Sequence, residues 1–178
     1  IWDEKLAEYA EIICRYRIEF IEKLNNKIKK IHSEVTENKE KLEIKYITEC
    51  ENKKNYLSLL KQRRKLDIIK GFTTKGIHRD DFKCFINDKE IEIYGSQGQH
   101  RTAILSLKLA ELYVIYDEIG EYPILLLDDF MSELDEKRRK SFLSYIKDTQ
   151  VIITCTDKME LDNIKLFNVI NGEICKII

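Results

Sequence analysis

Two stretches of this chain carry residue types able to handle a phosphate. In "ILLLDDFMSELD", residues 124–135, a continuous apolar run ends in two adjacent carboxylates, Asp128 and Asp129. Such a run reads as a strand buried on both faces. Ligands of open α/β sheets gather beyond the carboxyl ends of the strands. Neighbouring side chains alternate along a strand, so the two carboxylates divide their work. One can hold Mg²⁺, directly or through water, and its neighbour can orient or deprotonate an attacking water. The plainer reading is that the pair ends a strand and caps the next element. The second stretch is "YGSQGQHRTAILSLKLAEL", Tyr94 to Leu112. Gly95 and Gly98 let backbone approach a ligand closely. Ser96 is placed to cap a helix whose start offers free N–H groups and the positive end of a dipole. Ser96 and Gln99 add side-chain donors, and a phosphate fits such a turn. Any capped helix after a glycine turn shares these features.

The elements that must position these residues can be read from periodicity. Residues 1–70 contain neither Gly nor Pro. Leu6, Tyr9, Ile13, Tyr16, Phe20, Leu24, Ile28, Ile31 and Val35 recur at spacings of three and four, the stripe of one long helix that packs against another. Leu42, Ile44 and Tyr46 alternate with charged residues, as in a strand. A helix over "NKKNYLSLLKQRRKLDIIKG" ends before Gly71. "FKCFINDKEIEIY" reads as two strands about an Asn87-Asp88 turn. Ser96 then caps a helix with Ile104, Leu105, Leu109 and Leu112 inward, stopped by Gly120. The "ILLLDD" strand, a helix over about 136–147 and the "VIITC" strand give an α/β close. A hairpin about Asn171-Gly172 ends the chain.

Composition sets the bounds. The chain has 178 residues, 43% hydrophobic and 35% charged, enough apolar material for a packed core. Residues 1–70 carry a net charge of +4 and the remainder −5. The basic half suits nucleic acid, and a solvated helix surface gives the same count. Cys14, Cys50, Cys84, Cys155 and Cys175 form no CxxC pair, which points to a reducing compartment rather than disulfides or zinc. His32, His78 and His100 are too dispersed to suggest a metal site. No apolar run reaches the ~20 residues that span a bilayer, and no signal peptide is present. A soluble intracellular protein with no membrane partner is expected. The chain does not begin with Met and opens inside a helix, as a piece of a longer protein would.

Order and spacing add what each motif lacks alone. "GIHRDDF", "YGSQGQHRT" and "LLLDDFMSELD", followed by a strand ending "IITCTD", resemble the back half of an ABC-type (P-loop NTPase) ATPase head. The likeness is to the RecF family of bacterial DNA replication and repair proteins, relatives of the structural-maintenance-of-chromosomes (SMC) heads. It covers nearly the whole chain. It implies an α/β fold of two parts. Residues 1–119 form a mainly helical lobe with a small antiparallel sheet and the signature helix. Residues 120–178 form the C-terminal part of the ATPase lobe.

The resemblance also implies roles. Ser96, Gln97, Gly98 and Gln99 stand at the signature motif, which faces the γ-phosphate of ATP held by another subunit. Asp128 matches the Walker B aspartate serving Mg²⁺, and Asp129 the acidic residue that positions water. Ser132, Glu133, Leu134 and Asp135 match the D-loop at a dimer interface. Thr156 holds the switch position, where many ABC proteins have His, and a hydroxyl there is compatible with slow hydrolysis. Ile77 replaces the Pro of the family's GPHRDD, and Arg79 either contacts phosphate or DNA or joins Asp80 and Asp81 in a structural ion-pair network. Lys61, Arg63, Arg64 and Lys65 form a basic cluster that could follow a DNA backbone or simply be solvated. No GxxxxGK[ST] occurs in the chain, and that loop cradles the phosphates in P-loop ATPases. The implied protein is a cytoplasmic, bacterial, weak and DNA-dependent ATPase in gap repair. It dimerises around ATP on gapped or junction DNA and works with RecR and RecO to load RecA. ATP and Mg²⁺ belong to the complete protein; this chain alone is expected to bind ATP weakly or not at all and not to hydrolyse it. The alternatives are a non-catalytic helical interaction module, motivated by the Leu6-to-Val35 stripe, and another SMC-like head, for which the helical insert is short.

Overall fold

The glycine-free first 70 residues fold into two helices joined through a strand. The computed structural model describes residues 1–128, 134–156 and 164–177. Helix α1 spans Trp2–Val35. Its second half buries Leu24, Ile28, Ile31 and Val35, as their spacing predicts. Its first half does not follow the stripe. Ala7, Ala10 and Cys14 face inward, while Leu6, Tyr9, Ile13, Tyr16 and Phe20 are exposed. Small side chains allow the close approach of helix α2 (Lys53–Lys70), whose Tyr56 and Leu60 complete this smaller core with Cys50. Asn52 caps α2 by accepting from Asn55 N at 2.9 Å, and Gly71 ends it at φ 73°.

Strand β1 (Leu42–Ile47) pairs antiparallel with β2 (Asp81–Ile86), from Leu42 opposite Ile86 to Ile47 opposite Asp81. Asn87 and Asp88 turn the chain with φ of 48° and 64°, the left-handed pair of a two-residue hairpin. The returning strand β3 is only Lys89–Glu90. Where alternation predicts more strand, Ile91–Tyr94 make one helical turn, α3, which buries Ile91 and delivers the chain to Ser96.

Helix α4 runs Gln97–Ile119 between Ser96 and Gly120, the ends its sequence predicts. Leu105, Leu109 and Leu112 are buried as expected. Ile104 is 51% exposed, and the inward face is completed by Thr102, Ala103, Ser106, Ala110 and Val114. Small residues again let a neighbouring helix, here α1, lie close.

Strand β4 (Leu125–Asp128), helix α5 (Glu136–Tyr145) and strand β5 (Val151–Thr154) complete the α/β part, the two strands parallel with Leu125 opposite Val151. Helix α5 stops two residues short of its predicted end. Leu127 is buried, whereas Leu126 and Ile152 are 70% and 54% exposed. Among the described residues this sheet is therefore covered on one face, not the two that its apolar run suggested. Strands β6 (Leu166–Ile170) and β7 (Glu173–Ile177) form the final hairpin about Asn171-Gly172. The larger core joins the second half of α1 to β1, β2, α4, β4 and α5, and so crosses position 120. No helix among the described residues is long and apolar enough to cross a membrane.

Candidate functional site

The turn at the start of α4 is closed by a reciprocal capping box. Ser96 Oγ accepts from Gln99 N at 3.2 Å, and Gln99 Oε1 accepts from Ser96 N at 2.9 Å. The two glycines differ in their reasons. A Cβ on Gly95 would lie 2.6 Å from the carbonyl oxygen of Ile91, so backbone excludes a side chain there. A Cβ on Gly98 would meet nothing nearer than Arg138 Nη2 at 3.8 Å and Ser96 Oγ at 3.9 Å. Ser96 and Gln97 are exposed.

Gln99 is held from a second side, by residues that sequence reasoning missed. Its Nε2 donates to Glu40 Oε1 at 2.9 Å. The other Glu40 oxygen lies 3.3 Å from Nε2 of His32, whose Nδ1 is 2.9 Å from Ser106 Oγ. His32 is wholly buried. Burial is the larger influence on it and pushes its pKa down, against the opposing pull of Glu40. Its two ring nitrogens are thus engaged by Glu40 and by the oxygen of Ser106, whose hydroxyl donates to the Thr102 carbonyl at 2.9 Å. The sequence carried one signal of this: His32 interrupts the apolar run Ile28, Ile31, Val35 on the buried face of α1.

The start of α5 meets the start of α4. Asp135 caps α5, accepting from Arg138 N at 2.9 Å and from Arg138 Nη1 at 2.6 Å. These contacts, the backbone N–H first, hold its carboxyl below the usual range. Arg138 thereby lies between the predicted D-loop and Gly98. Lys137 pairs with Glu37, whose pKa the lysine, with help from Lys39, brings to about 2. Leu134 is a core residue. The predicted site residues Asp129, Ser132 and Glu133 lie outside the described residues.

Asp128 ends β4 with its side chain exposed, opposite Thr154, whose hydroxyl donates to it at 2.5 Å. Thr156 is exposed just beyond β5. Among the described residues no three His, Cys, Asp or Glu side chains cluster as metal ligands. A lone carboxylate with a hydroxyl beside it fits Mg²⁺, which takes one or two protein oxygens and keeps water or phosphate for the rest. Asp128 would hold the ion, and the ion would offset phosphate charge.

The "GIHRDD" segment divides its labour. Gly76 stands at φ 149°, and a Cβ there would strike the Tyr56 hydroxyl. Asp80 is turned inward, where it accepts from the Tyr46 hydroxyl and lies 3.5 Å from Arg17 Nη1. Arg17 also donates to the Ile77 carbonyl at 2.7 Å. Burial, and after it the Asp80 contact, raises the Tyr46 pKa. The ion pair of Asp80 is thus with α1, and Arg79 lies exposed over the Phe72 ring, 5.9 Å from its centroid. Lys61, Arg63, Arg64 and Lys65 are all exposed on α2, with Arg64 paired to Asp3.

No family model matches the sequence. Curated relatives do. RecF of Clostridium perfringens (strain 13 / Type A) is 46% identical over 183 residues, covering 98% of this chain and 51% of that protein. RecF of Clostridium beijerinckii is 47% identical over 184 residues, covering 98% and 50%. Both are described as DNA replication and repair proteins. The chain spans about half the length of the curated relatives it matches. A solved structure of the recombination mediator protein RecF with ATP, in the RecFOR pathway, superposes with a TM-score of 0.85 at 39% identity, over 99% of this chain and 49% of that one. A second, with an ATP analogue, gives 0.86. The fold is that of an ABC-type ATPase head, mixed α/β with small antiparallel sheets. In sequence and in fold, this chain matches the C-terminal half of the RecF family.

Proposed function

We propose that this chain supplies the signature half of a shared ATP site in a RecF-type DNA-repair dimer. The turn of Ser96, Gln97, Gly98 and Gln99 faces the γ-phosphate of ATP bound by the other subunit, with the Gln99 side chain turned inward to Glu40. The observation that carries this reading is the start of α4: a rigidly capped turn, Gly98 open on its outer side, and the Arg138 cation beside it. Asp128 serves Mg²⁺ and Asp129 positions the hydrolytic water in the complete ATPase. The segment 132–135 serves the dimer interface, with Leu134 anchoring it in the core. No GxxxxGK[ST] stands in these 178 residues, so the chain by itself does not turn ATP over. In the whole protein ATP holds the dimer closed on gapped or junction DNA, hydrolysis opens it, and RecR and RecO act with it to load RecA in the cytoplasm. Exposed Lys61, Arg63, Arg64, Lys65 and Arg79 supply contacts to the DNA backbone.

The test joins this chain to the N-terminal half of a RecF relative. Mass is measured by light scattering with and without ATP-Mg²⁺. A dimer that forms only with ATP and is lost in Ser96→Arg supports the reading; a mass that ignores ATP, or a mutant that dimerises normally, ends it. One observation favours a second reading. The exposed stripe Leu6, Tyr9, Ile13, Tyr16 and Phe20 suits a helical protein partner. Fast amide exchange over residues 6–20 in the free chain, slowed on dimerisation or partner binding, would favour that module.

A further inference from the structure

The turn holds the Gln99 side chain from one end only. A primary amide presents either oxygen or nitrogen, and only the oxygen accepts from Ser96 N to close the capping box. Glu40 enforces the same choice from the other end. Its ionised carboxylate is acceptor-only, so the nitrogen of Gln99 must face it, 2.9 Å away, and the oxygen must face Ser96. Glu40 is held in turn by His32, 3.3 Å from its second oxygen. His32 is anchored back on α4 through Ser106, at 2.9 Å. The path leaves α4 at its third residue and rejoins it two turns later. Nearer the start, Thr102 Oγ1 donates to the Gly98 carbonyl at 2.8 Å.

We infer that Glu40 and Gln99 are positioning residues of the nucleotide-facing turn, with His32 behind them, and that Ser96 and the first-turn N–H groups are what meets phosphate. The inference rests on the reading that this turn faces ATP. Both ends of the Gln99 amide are engaged inside the protein, so its side chain is not offered to a ligand. The Ser96 oxygen accepts from Gln99 N, which leaves its hydroxyl proton to donate outward. The N–H groups at the first two positions of α4, Gln97 and Gly98, have no intrahelical acceptor. The Glu40 carboxylate therefore orders the phosphate-facing groups without touching phosphate.

The test uses the same joined RecF chain and measures the dimer dissociation constant at saturating ATP-Mg²⁺. Glu40→Ala is expected to weaken ATP-dependent dimerisation about tenfold, the scale of one charge-assisted hydrogen bond. Gln99→Ala should cost about the same, and the double variant no more than either alone. Glu40→Gln should restore dimerisation to within about threefold, because its amide oxygen still accepts from Gln99 while its nitrogen donates to Nε2 of a His32 whose proton sits on Nδ1 and is given to Ser106 Oγ. Dimerisation of Glu40→Ala at wild-type strength overturns the inference, as do additive losses or a Glu40→Gln as weak as Glu40→Ala. If Glu40→Ala fails to fold, Gln99→Ala and Glu40→Gln decide it by the same criteria. Ser96→Arg separates the two failures. Its loss of the dimer beside a normal Glu40→Ala sinks only the positioning role, whereas a normal Ser96→Arg sinks the reading of the turn.

Discussion

Gly98 is the residue whose substitution best separates architecture from function. Inside the chain nothing requires a glycine there. Its φ is not in the left-handed region, and the space a Cβ would enter is open to 3.8 Å. Glycine within a helix is less stable than alanine by ~0.5–1 kcal/mol. Gly98→Ala should therefore leave stability unchanged or raise it by about 0.5 kcal/mol, a rise of ~1–2 °C in Tm for a chain of this size. Gly95→Ala is the contrast, because its Cβ would sit 2.6 Å from a backbone oxygen. That variant should lose ~1–3 kcal/mol, the usual cost of overpacking. If the turn meets phosphate, a methyl group on its outer side holds the ligand off, and Gly98→Ala should abolish ATP-dependent dimerisation of the joined protein while melting no earlier than wild type. Thermal melts and light scattering read the two effects separately. A Gly98→Ala that is destabilised by more than about 1 kcal/mol would show a local structural demand missed in the packing. A stable Gly98→Ala that dimerises normally with ATP would refute the functional reading.

Three further outcomes are expected. Burial keeps the folded pKa of His32 below the unfolded value of about 6.5. The unfolded chain thus binds the extra proton in that window. Stability should be full above pH ~6.5 and fall beneath it by up to ~1.4 kcal/mol per pH unit until the folded value is passed. Urea titrations at several pH values should show this slope, and His32→Gln should flatten it; equal slopes would contradict the assignment. Phe142→Ala empties a wholly buried site in the larger core and should cost ~3–5 kcal/mol by denaturant titration. If it instead costs under about 1 kcal/mol, α5 is not packed on α1 and α4 as described. Asp80→Ala takes the carboxylate acceptor from the Tyr46 hydroxyl and from Arg17, which keeps the Ile77 carbonyl. It should destabilise by ~1–3 kcal/mol, with Arg17→Ala adding little to it; fully additive losses would dissolve the network.

The range of each interaction decides whether it was legible in the sequence. Helix ends and hairpins were readable because their causes are local. Ser96, Gln99 and Gly120 frame α4 within the span of its own hydrogen bonds, and Asn87-Asp88 and Asn171-Gly172 need only their own dihedral angles. The stripe on α1 misled because periodicity marks an apolar face without saying which part is covered. Ala7, Ala10 and Cys14, each next in sequence to a member of the stripe, won the interface with α2 because small residues permit the nearer approach. Ile91–Tyr94 alternate like a strand, yet the chain coils there to bury Ile91 and bring Ser96 to the head of α4. Glu40 and His32 were invisible as site residues since their partners lie 59 and 74 positions away, at Gln99 and Ser106.

The same distances explain why the motifs belong together. The "GSQGQ" turn and the "SELD" segment stand well over thirty residues apart, and either alone could be an ordinary capped turn. In the fold Asp135 caps α5 and fixes Arg138, and Arg138 reaches the open side of Gly98. From the other direction Glu40 orients Gln99. Lys137 and Glu37 then tie α5 to the turn that carries Glu40. One helix start is thus braced from two sides by charged residues that a simple cap does not need, since Ser96 and Gln99 already close the box between themselves. That surplus ordering is intelligible if the outer face of the turn must keep its geometry against a ligand that arrives from outside the chain.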